Sequence, residues 1–354
     1  MANKFYPIAV KQVTRETPSS ISVTFDIPEN LKEEFTYKHG QYLTLKIVHQ
    51  GVENRRAYSI CSSPFYENDI KVAIKKVDDG VVSKYLNENL KAGDVIELMP
   101  PNGHFTIELD ANKNRNYCFI GAGSGITPLI SIIKSILYVE KQSKIHLIYG
   151  NRNENEIIFE NEIKDLQKNN PERFKFTTVL SQPIGNFNGL IGRVNNDIIK
   201  NVINYEKILA TNTEFFLCGP VDMMKNAEDL LYSMNVNKNQ IHKESFTVSE
   251  KGENMNNESQ DLKPRKVKIL LYSEELEMLV NPDDTITSAA QREGYDPPYS
   301  CQIGACSTCR AKLISGKVIM DERDSLTDDE IEEGYVLTCQ AHPLTDDVVL
   351  DFDC

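Results

Sequence analysis

Four cysteines carry the most specific chemistry in the sequence. Cys301, Cys306 and Cys309 stand in C-x4-C-x2-C spacing within Pro298-Tyr299-Ser300-Cys301-Gln302-Ile303-Gly304-Ala305-Cys306-Ser307-Thr308-Cys309, and Cys339 follows in Leu337-Thr338-Cys339-Gln340. Thiolates at this spacing, with the fourth supplied from a distant strand, hold a [2Fe-2S] cluster. The loop must wrap two irons and turn its N–H groups toward sulfur, which the small residues Gly304, Ala305, Ser307 and Thr308 permit. A structural zinc site would pair C-x2-C with a second pair of Cys or His, and the sequence has none.

A second group reads as a binding surface. Arg56, Tyr58, Ser59 and Ser62 fall in Arg55-Arg56-Ala57-Tyr58-Ser59-Ile60-Cys61-Ser62-Ser63-Pro64. Strand alternation puts Arg56, Tyr58 and Ile60 on one side, with Ser59 opposite unless the strand turns there. A cation, a phenol and hydroxyls suit a phosphate, a flat ring and a ring nitrogen. Farther on, Gly80-Val81-Val82-Ser83 opens a helix, and its first N–H groups with the Ser83 hydroxyl make either an anion site or a plain N-cap.

A third group has the character of a dinucleotide site. In Gly121-x-Gly123-x-Gly125-Ile126-Thr127-Pro128 the third glycine comes one residue early for G-x-G-x-x-G. A glycine turn between strand and helix still lets phosphate meet backbone N–H groups. The next strand ends in Tyr149-Gly150-Asn151-Arg152, without the acid that grips a ribose 2′-OH, and Arg152 suits a 2′-phosphate. The expected coenzyme is therefore NADPH, with NADH the alternative. Cys218-Gly219-Pro220 follows a strand's carboxyl end, the ligand side of such sheets. Cys218 itself suits either that site or a buried structural position. His104 and His342 read as ordinary packed or surface histidines.

These groups need elements to position them. Short β-branched runs at Phe5 to Val13, Ser20 to Asp26, Tyr42 to Val48, Ala57 to Ile60, Ile70 to Val77 and Asp94 to Met99 predict an antiparallel β-barrel, with a helix over Val81 to Asn89. From Asn114 strands at Tyr117, Lys144, Phe174 and Glu214 alternate with helices, which predicts a parallel sheet covered on both faces. The helix after the glycine turn is expected to take Thr127 as N-cap and Pro128 as first residue, and the next to run from Glu156 to Lys168. Thr247 to Pro264 is polar and reads as a linker. Lys266 to Tyr272 and Leu276 to Val280 predict a hairpin, and Ile286 to Glu293 a helix. The expected organisation is a barrel at 1–110, an α/β parallel-sheet domain at 111–246, a linker at 247–264 and a small α+β domain at 265–354.

Composition excludes several classes. The 354 residues contain no run of 18 apolar residues: the best stretch, Ile126 to Val139, is interrupted by Lys134. The N-terminus leads into no signal-peptide core, and scattered cysteines favour a reducing compartment, so the expected location is cytoplasmic. From Lys266 to Cys354 the chain carries 7 Lys and Arg against 19 Asp and Glu, net −12, while the first 265 residues come to −1. Such a field repels nucleic acid and steers a partner with a basic docking surface, or else serves only solubility.

In this order, Arg56-x-Tyr58-Ser59, Gly80-x-x-Ser83, the glycine turn and Cys218-Gly219-Pro220 resemble the ferredoxin-NADP+ reductase family. The trailing cysteine domain makes the whole chain similar to oxygenase reductases with a C-terminal plant-type ferredoxin, which is a β-grasp fold. The resemblance implies FAD: Tyr58 packs on the isoalloxazine, Ser59 approaches its N5 side, Arg56 meets the phosphates, Gly80 to Ser83 hold the pyrophosphate, and Ser62 completes the motif of the FAD-using members. It also implies that Cys218, Gly219 and Pro220 lie near the nicotinamide and that Phe246, in Glu244-Ser245-Phe246, lies on the flavin face. The implied activity is an NAD(P)H:acceptor oxidoreductase delivering electrons to an oxygenase or other acceptor protein. A redox sensor or carrier is the alternative from another class.

Overall fold

The computed structural model describes residues 4–78, 80–208, 212–247, 262–323 and 325–354. Most of the expected linker lies outside the described residues. The chain divides into a larger compact unit, made of Phe5–Asn54 and Tyr58–Glu244, and a smaller one containing the stretch from Ser245 onward.

The larger unit opens with six antiparallel strands: β1 (Tyr6–Thr17), β2 (Ser20–Asp26), β3 (Tyr42–His49), β4 (Val52–Ser59), β5 (Ile70–Lys75) and β6 (Val95–Asn102), with α1 (Val81–Asn89) between the last two. Their order is β4-β3-β6-β1-β2-β5. A bridge between Ile60 and Val72 joins the ends of the sheet, as closing a barrel requires. Alternate residues such as Ile8, Val10, Ile21, Val23, Leu43 and Leu45 fill its interior.

The parallel sheet follows. Its strands β7 (Asn116–Ala122), β8 (Lys144–Asn151), β9 (Phe174–Leu180), β10 (Leu190–Ile191), β11 (Thr213–Cys218) and β12 (Ile241–Glu244) run in the order β10-β9-β8-β7-β11-β12. Helices α2 (Ile126–Val139) and α3 (Glu160–Asn169) cover one face, and α4 (Asn196–Tyr205) and α5 (Val221–Ser233) the other. Side chains alternate accordingly: Tyr117 and Phe119 join the α2 core, Cys118 and Ile120 the α5 core. Barrel residues Cys61, Ala73 and Phe105 belong to the α2 core. The two sheets therefore form one body.

Two local expectations shift. A 3-10 turn over Gly123–Gly125 runs straight into α2, so the helix starts at Ile126; Thr127 donates to the Ser124 carbonyl at 3.0 Å instead of capping, and Pro128 is the third residue. The helix expected from Glu156 starts only at Glu160. Phe159 sits in the core at φ 61°, a left-handed residue that no helix can pass through.

The smaller unit is a mixed sheet of β13 (Arg265–Leu271), β14 (Glu274–Val280), β15 (Arg310–Ser315), β17 (Tyr335–Leu337) and β19 (Val349–Asp351) in the order β14-β13-β19-β15-β17, with β16 (Val318–Met320) and β18 (Ala341–Pro343) paired separately. Helix α6 (Ile286–Arg292) packs Ile286, Ala289 and Ala290 into its core, and α7 (Asp328–Glu332) precedes β17. This is the β-grasp arrangement.

Candidate functional site

At the end of β4 the backbone leaves the strand. Tyr58 is half-buried against the barrel core, Ile60 drops fully into it, and Ser59 points its hydroxyl elsewhere. Ser59 Oγ donates to Oε2 of Glu244 at 3.0 Å, across 185 residues of sequence. Arg56 is exposed, and its Nη1 donates to the Arg55 carbonyl. Ser62 is not part of this surface. It is fully buried, with its hydroxyl between the Tyr37 hydroxyl at 2.8 Å and the Lys71 N–H at 3.0 Å.

The start of α1 is tighter than a plain helix start. A Cβ on Gly80 would lie 2.6 Å from Ser83 Oγ and 3.0 Å from Val77 Cβ, so a larger residue there would have to push the Ser83 hydroxyl aside. Ser83 accepts from the Val77 N–H at 3.1 Å and Val82 is in the barrel core. What this stretch offers an anion is therefore the first-turn backbone N–H groups of α1, which lack intrahelical acceptors. The cradle fits the pyrophosphate of a bound dinucleotide.

The glycine turn and the Cys218 turn are pressed together. A Cβ on Gly125 would lie 2.1 Å from the Cys218 carbonyl oxygen, and one on Gly219 2.7 Å from Met223 Cε and 3.2 Å from the Ala122 nitrogen. Gly121 is held from the other side, where Leu129 would meet a Cβ at 2.7 Å. Gly123, at φ 56°, is fixed by Tyr149, whose hydroxyl donates to its carbonyl at 2.8 Å. Thr127 and Pro128 are buried behind the turn and support it. Pro220 begins the approach to α5. At the neighbouring strand end the Asn151 amide is buried beside the Tyr149 hydroxyl. A buried amide at the carboxyl end of a parallel sheet fits a polar ligand there.

Sequence reasoning met Glu244 only as the first residue of a terminal Glu-x-aromatic element resembling the family's near the flavin, and chose Phe246 rather than Glu244 as its site residue. Burial pushes its carboxyl up to about 8, against the Ser59 hydrogen bond that pulls it down. Burial, reinforced by Glu244, also holds the fully buried Cys218 thiol well above its ordinary value. Ser59, Cys218 and Glu244 thus converge, and the raised value favours the proton-bound form of the half-buried Glu244 near neutral pH. Phe246, two residues on, is 39% exposed.

This proton has a pH signature. The folded-state value lies above the unfolded one, so its stabilising contribution is complete below about 4.5 and is lost as pH rises through about 8. The melting temperature of the native protein should fall across that window relative to Glu244→Gln, and the difference should level off above pH 8. Parallel curves from pH 5 to 9 would contradict the assignment.

The four cysteines meet in the smaller unit. The Cys301 thiol lies close enough to those of Cys306 and Cys339 to interact with them, and Cys339 likewise to Cys309. Those contacts draw Cys301 well below the ordinary thiol range and push Cys306 and Cys339 up. Cys339 is held by its neighbour: Thr338 gives both its N–H, at 3.1 Å, and its hydroxyl, at 2.8 Å, to the Cys309 carbonyl. Gln340 Nε2 donates to the Gln302 carbonyl at 3.1 Å. Gly304, at φ 79°, tucks against Glu322 and Gln340, and a Cβ would lie 2.8 Å from Glu322 Cβ. The Ser300 hydroxyl is buried without a partner. Four converging soft donors and a spare buried donor fit an iron–sulfur cluster with its inorganic sulfides.

Three family models tile the chain: an oxidoreductase FAD-binding domain at 7–107, an oxidoreductase NAD-binding domain at 119–229 and a 2Fe-2S iron-sulfur cluster binding domain at 271–344. Over 99% of its length the chain is 37% identical to one of the subunits of 1,2-phenylacetyl-CoA epoxidase of Escherichia coli K12, covering 98% of that protein. The chain belongs to the ferredoxin-NADP+ reductase family, in its oxygenase-reductase branch. The reductase is also 32% identical to the ferredoxin reductase component of 3-ketosteroid-9-alpha-monooxygenase from Rhodococcus rhodochrous, over 98% of this chain and 96% of that one. Phthalate dioxygenase reductase shares its fold, with a TM-score of 0.59 at 20% identity over 98% of both chains. The reductase is thus an oxidoreductase with FAD, nicotinamide and [2Fe-2S] domains in that order. Among its described residues no helix is long and apolar enough to cross a membrane.

Proposed function

We propose that the chain draws electrons from NADPH and delivers them through FAD and a [2Fe-2S] cluster to a partner oxygenase, in the first place a phenylacetyl-CoA epoxidase. The end-to-end identity of 37% to a component of that epoxidase carries the choice of partner. In this reading Cys301, Cys306, Cys309 and Cys339 hold the cluster. Arg56, Tyr58, Ser59 and the Gly80–Ser83 turn hold the flavin, and the Gly121–Gly125 and Cys218–Pro220 turns with Asn151 and Arg152 receive the coenzyme. When bound, the coenzyme supplies a hydride, the flavin takes the electron pair, and the cluster carries single electrons. The protein's own contribution is placement and proton control. Glu244 holds a proton beside the Ser59 hydroxyl, and the two pressed turns fix where the coenzyme's phosphates and ring can lie.

The choice of NADPH is supported by the acids after β8. Glu154 accepts from the Ile184 N–H at 3.0 Å, and Glu156 is bound by Ser19 Oγ at 2.8 Å and Lys75 at 3.1 Å. Both carboxylates are engaged, and Arg152 is exposed at the strand end, suited to a 2′-phosphate. Arg152→Ala should lower kcat/KM for NADPH about 10- to 100-fold, the range for a lost charge-assisted contact, and leave NADH use unchanged. Equal losses with both coenzymes would show that Arg152 does not read the 2′ position.

A basic docking surface on the oxygenase is supported by exposed Asp321, Asp328, Asp329, Glu332 and Glu333, the first of them hydrogen-bonded through its N–H to the Gln340 carbonyl beside Cys339. A cytoplasmic location accords with cysteines that form no disulfide among the described residues. Reconstitution tests the partner: NADPH-dependent turnover of phenylacetyl-CoA with the epoxidase components supports it. Continuous cytochrome c reduction without that turnover would indicate another oxygenase, and absence of both would favour a sensor.

A further inference from the structure

Helix α2 is apolar along almost its whole length, and its single cation is buried. The Lys134 side chain is 1% exposed, with Nζ 2.7 Å from Glu67 Oε2 and 2.9 Å from Glu162 Oε1. Burial lowers its proton affinity, but the two carboxylates more than offset this and hold the ammonium above the ordinary lysine range. An ion group of this kind, with its lysine buried and its carboxylates part-exposed, is often no better for stability than apolar side chains of similar volume. Covering the sheet therefore does not explain the lysine.

Its partners do. Glu67 lies in the loop between β4 and β5, and its Oε2 also accepts from the Ser63 N–H at 2.6 Å. Glu162 lies on α3. Ser131 and Ser135 share the Lys134 face of α2, at the helical spacing of three and four residues. Ser131 Oγ donates to the Ser62 carbonyl at 2.6 Å, and Ser135 Oγ lies 2.9 Å from Ser63 Oγ. One helix is thus fastened along its side to the segment that directly follows Tyr58 and Ser59, and its first turn continues the glycine turn pressed on Cys218.

We propose that Lys134 is a positioning residue for hydride transfer, clamping Glu67 of the barrel and Glu162 of α3 onto α2 and so setting the separation between the flavin strand and the turns that receive the coenzyme. The inference rests on the flavin and coenzyme sites as read above. Lys134→Met keeps volume and apolar cover while removing both ion pairs.

Anaerobic stopped-flow reduction of the purified protein by NADPH tests it. With Lys134→Met the limiting rate of flavin bleaching should fall about 10- to 100-fold, as ångström-scale misplacement does, while the coenzyme dissociation constant stays within about twofold. Amide exchange over residues 61–69 should quicken, a readout independent of turnover. A folded Lys134→Met that reduces its flavin at the native rate would overturn the proposal. If that variant does not fold, Glu67→Gln and Glu162→Gln serve: each should slow bleaching several-fold, and native rates in both would overturn it. A native protein that NADPH does not reduce at all would remove the underlying site reading, which the native trace reports separately, and the inference with it.

Discussion

Replacing Cys306 with serine is expected to reduce NADPH-driven cytochrome c reduction to background while leaving ferricyanide reduction largely intact. Cys306 is buried in the loop where Cys301, Cys309 and Cys339 converge, and a serine hydroxyl is a poor ligand for iron already bound to soft sulfur. The loop has little room to substitute another donor, since Gly304 is wedged against Glu322 and Gln340, and Thr338 pins the Cys339 strand to Cys309. Tyr58, Ser59 and the coenzyme turns lie in a separate compact unit, so electron delivery straight from the flavin to a small acceptor, one electron to each of two ferricyanide ions, should survive. Measuring both acceptors on one preparation separates the routes. Equal loss of both activities would mean that the cysteine loop supports the fold rather than the electron path, and equal survival would place the path elsewhere.

Gly125→Ala should be nearly as damaging to the other half of the route. The new Cβ would lie 2.1 Å from the Cys218 carbonyl oxygen, 2.5 Å from its carbon and 2.9 Å from the Gly219 nitrogen, all backbone atoms that cannot swing aside. Either the glycine turn or the Cys218 turn must move, so both surfaces proposed to meet the coenzyme are displaced together. Overpacking of this kind costs about 1–3 kcal/mol of stability. Displacement by an ångström should slow coenzyme-driven flavin bleaching about 100-fold. A folded Gly125→Ala protein with the native bleaching rate would show that the close approach of the two turns is not used in binding.

What the sequence discloses follows the range of each interaction. The cluster loop is local, and its spacing alone names its chemistry. Strand runs in the barrel and the β–α rhythm of the second sheet are likewise periodic within short windows. Glu244 is different: its partner Ser59 is 185 residues away, and only the pairing of β12 with β11 brings it beside Cys218. Lys134 interrupts an apolar run in the sequence; its two carboxylate partners come from elements that no local pattern connects. Ser62 looks like a flavin ligand because it follows a motif, yet Tyr37 and Lys71 take its hydroxyl inward. The start of α2 at Ile126 is concealed by a stronger cap signal in Thr127, which the continuous 3-10 turn overrides. The late start of α3 follows from Phe159, a buried apolar residue whose left-handed backbone interrupts the helix.

The central claim is the order in which electrons move. Anaerobic stopped-flow mixing of the native protein with NADPH, and separately with NADH, follows the flavin and cluster absorbance bands independently. The expected result is flavin bleaching first and cluster reduction second, both faster with NADPH. Cluster reduction without prior flavin bleaching, or no reduction by either coenzyme, would contradict it.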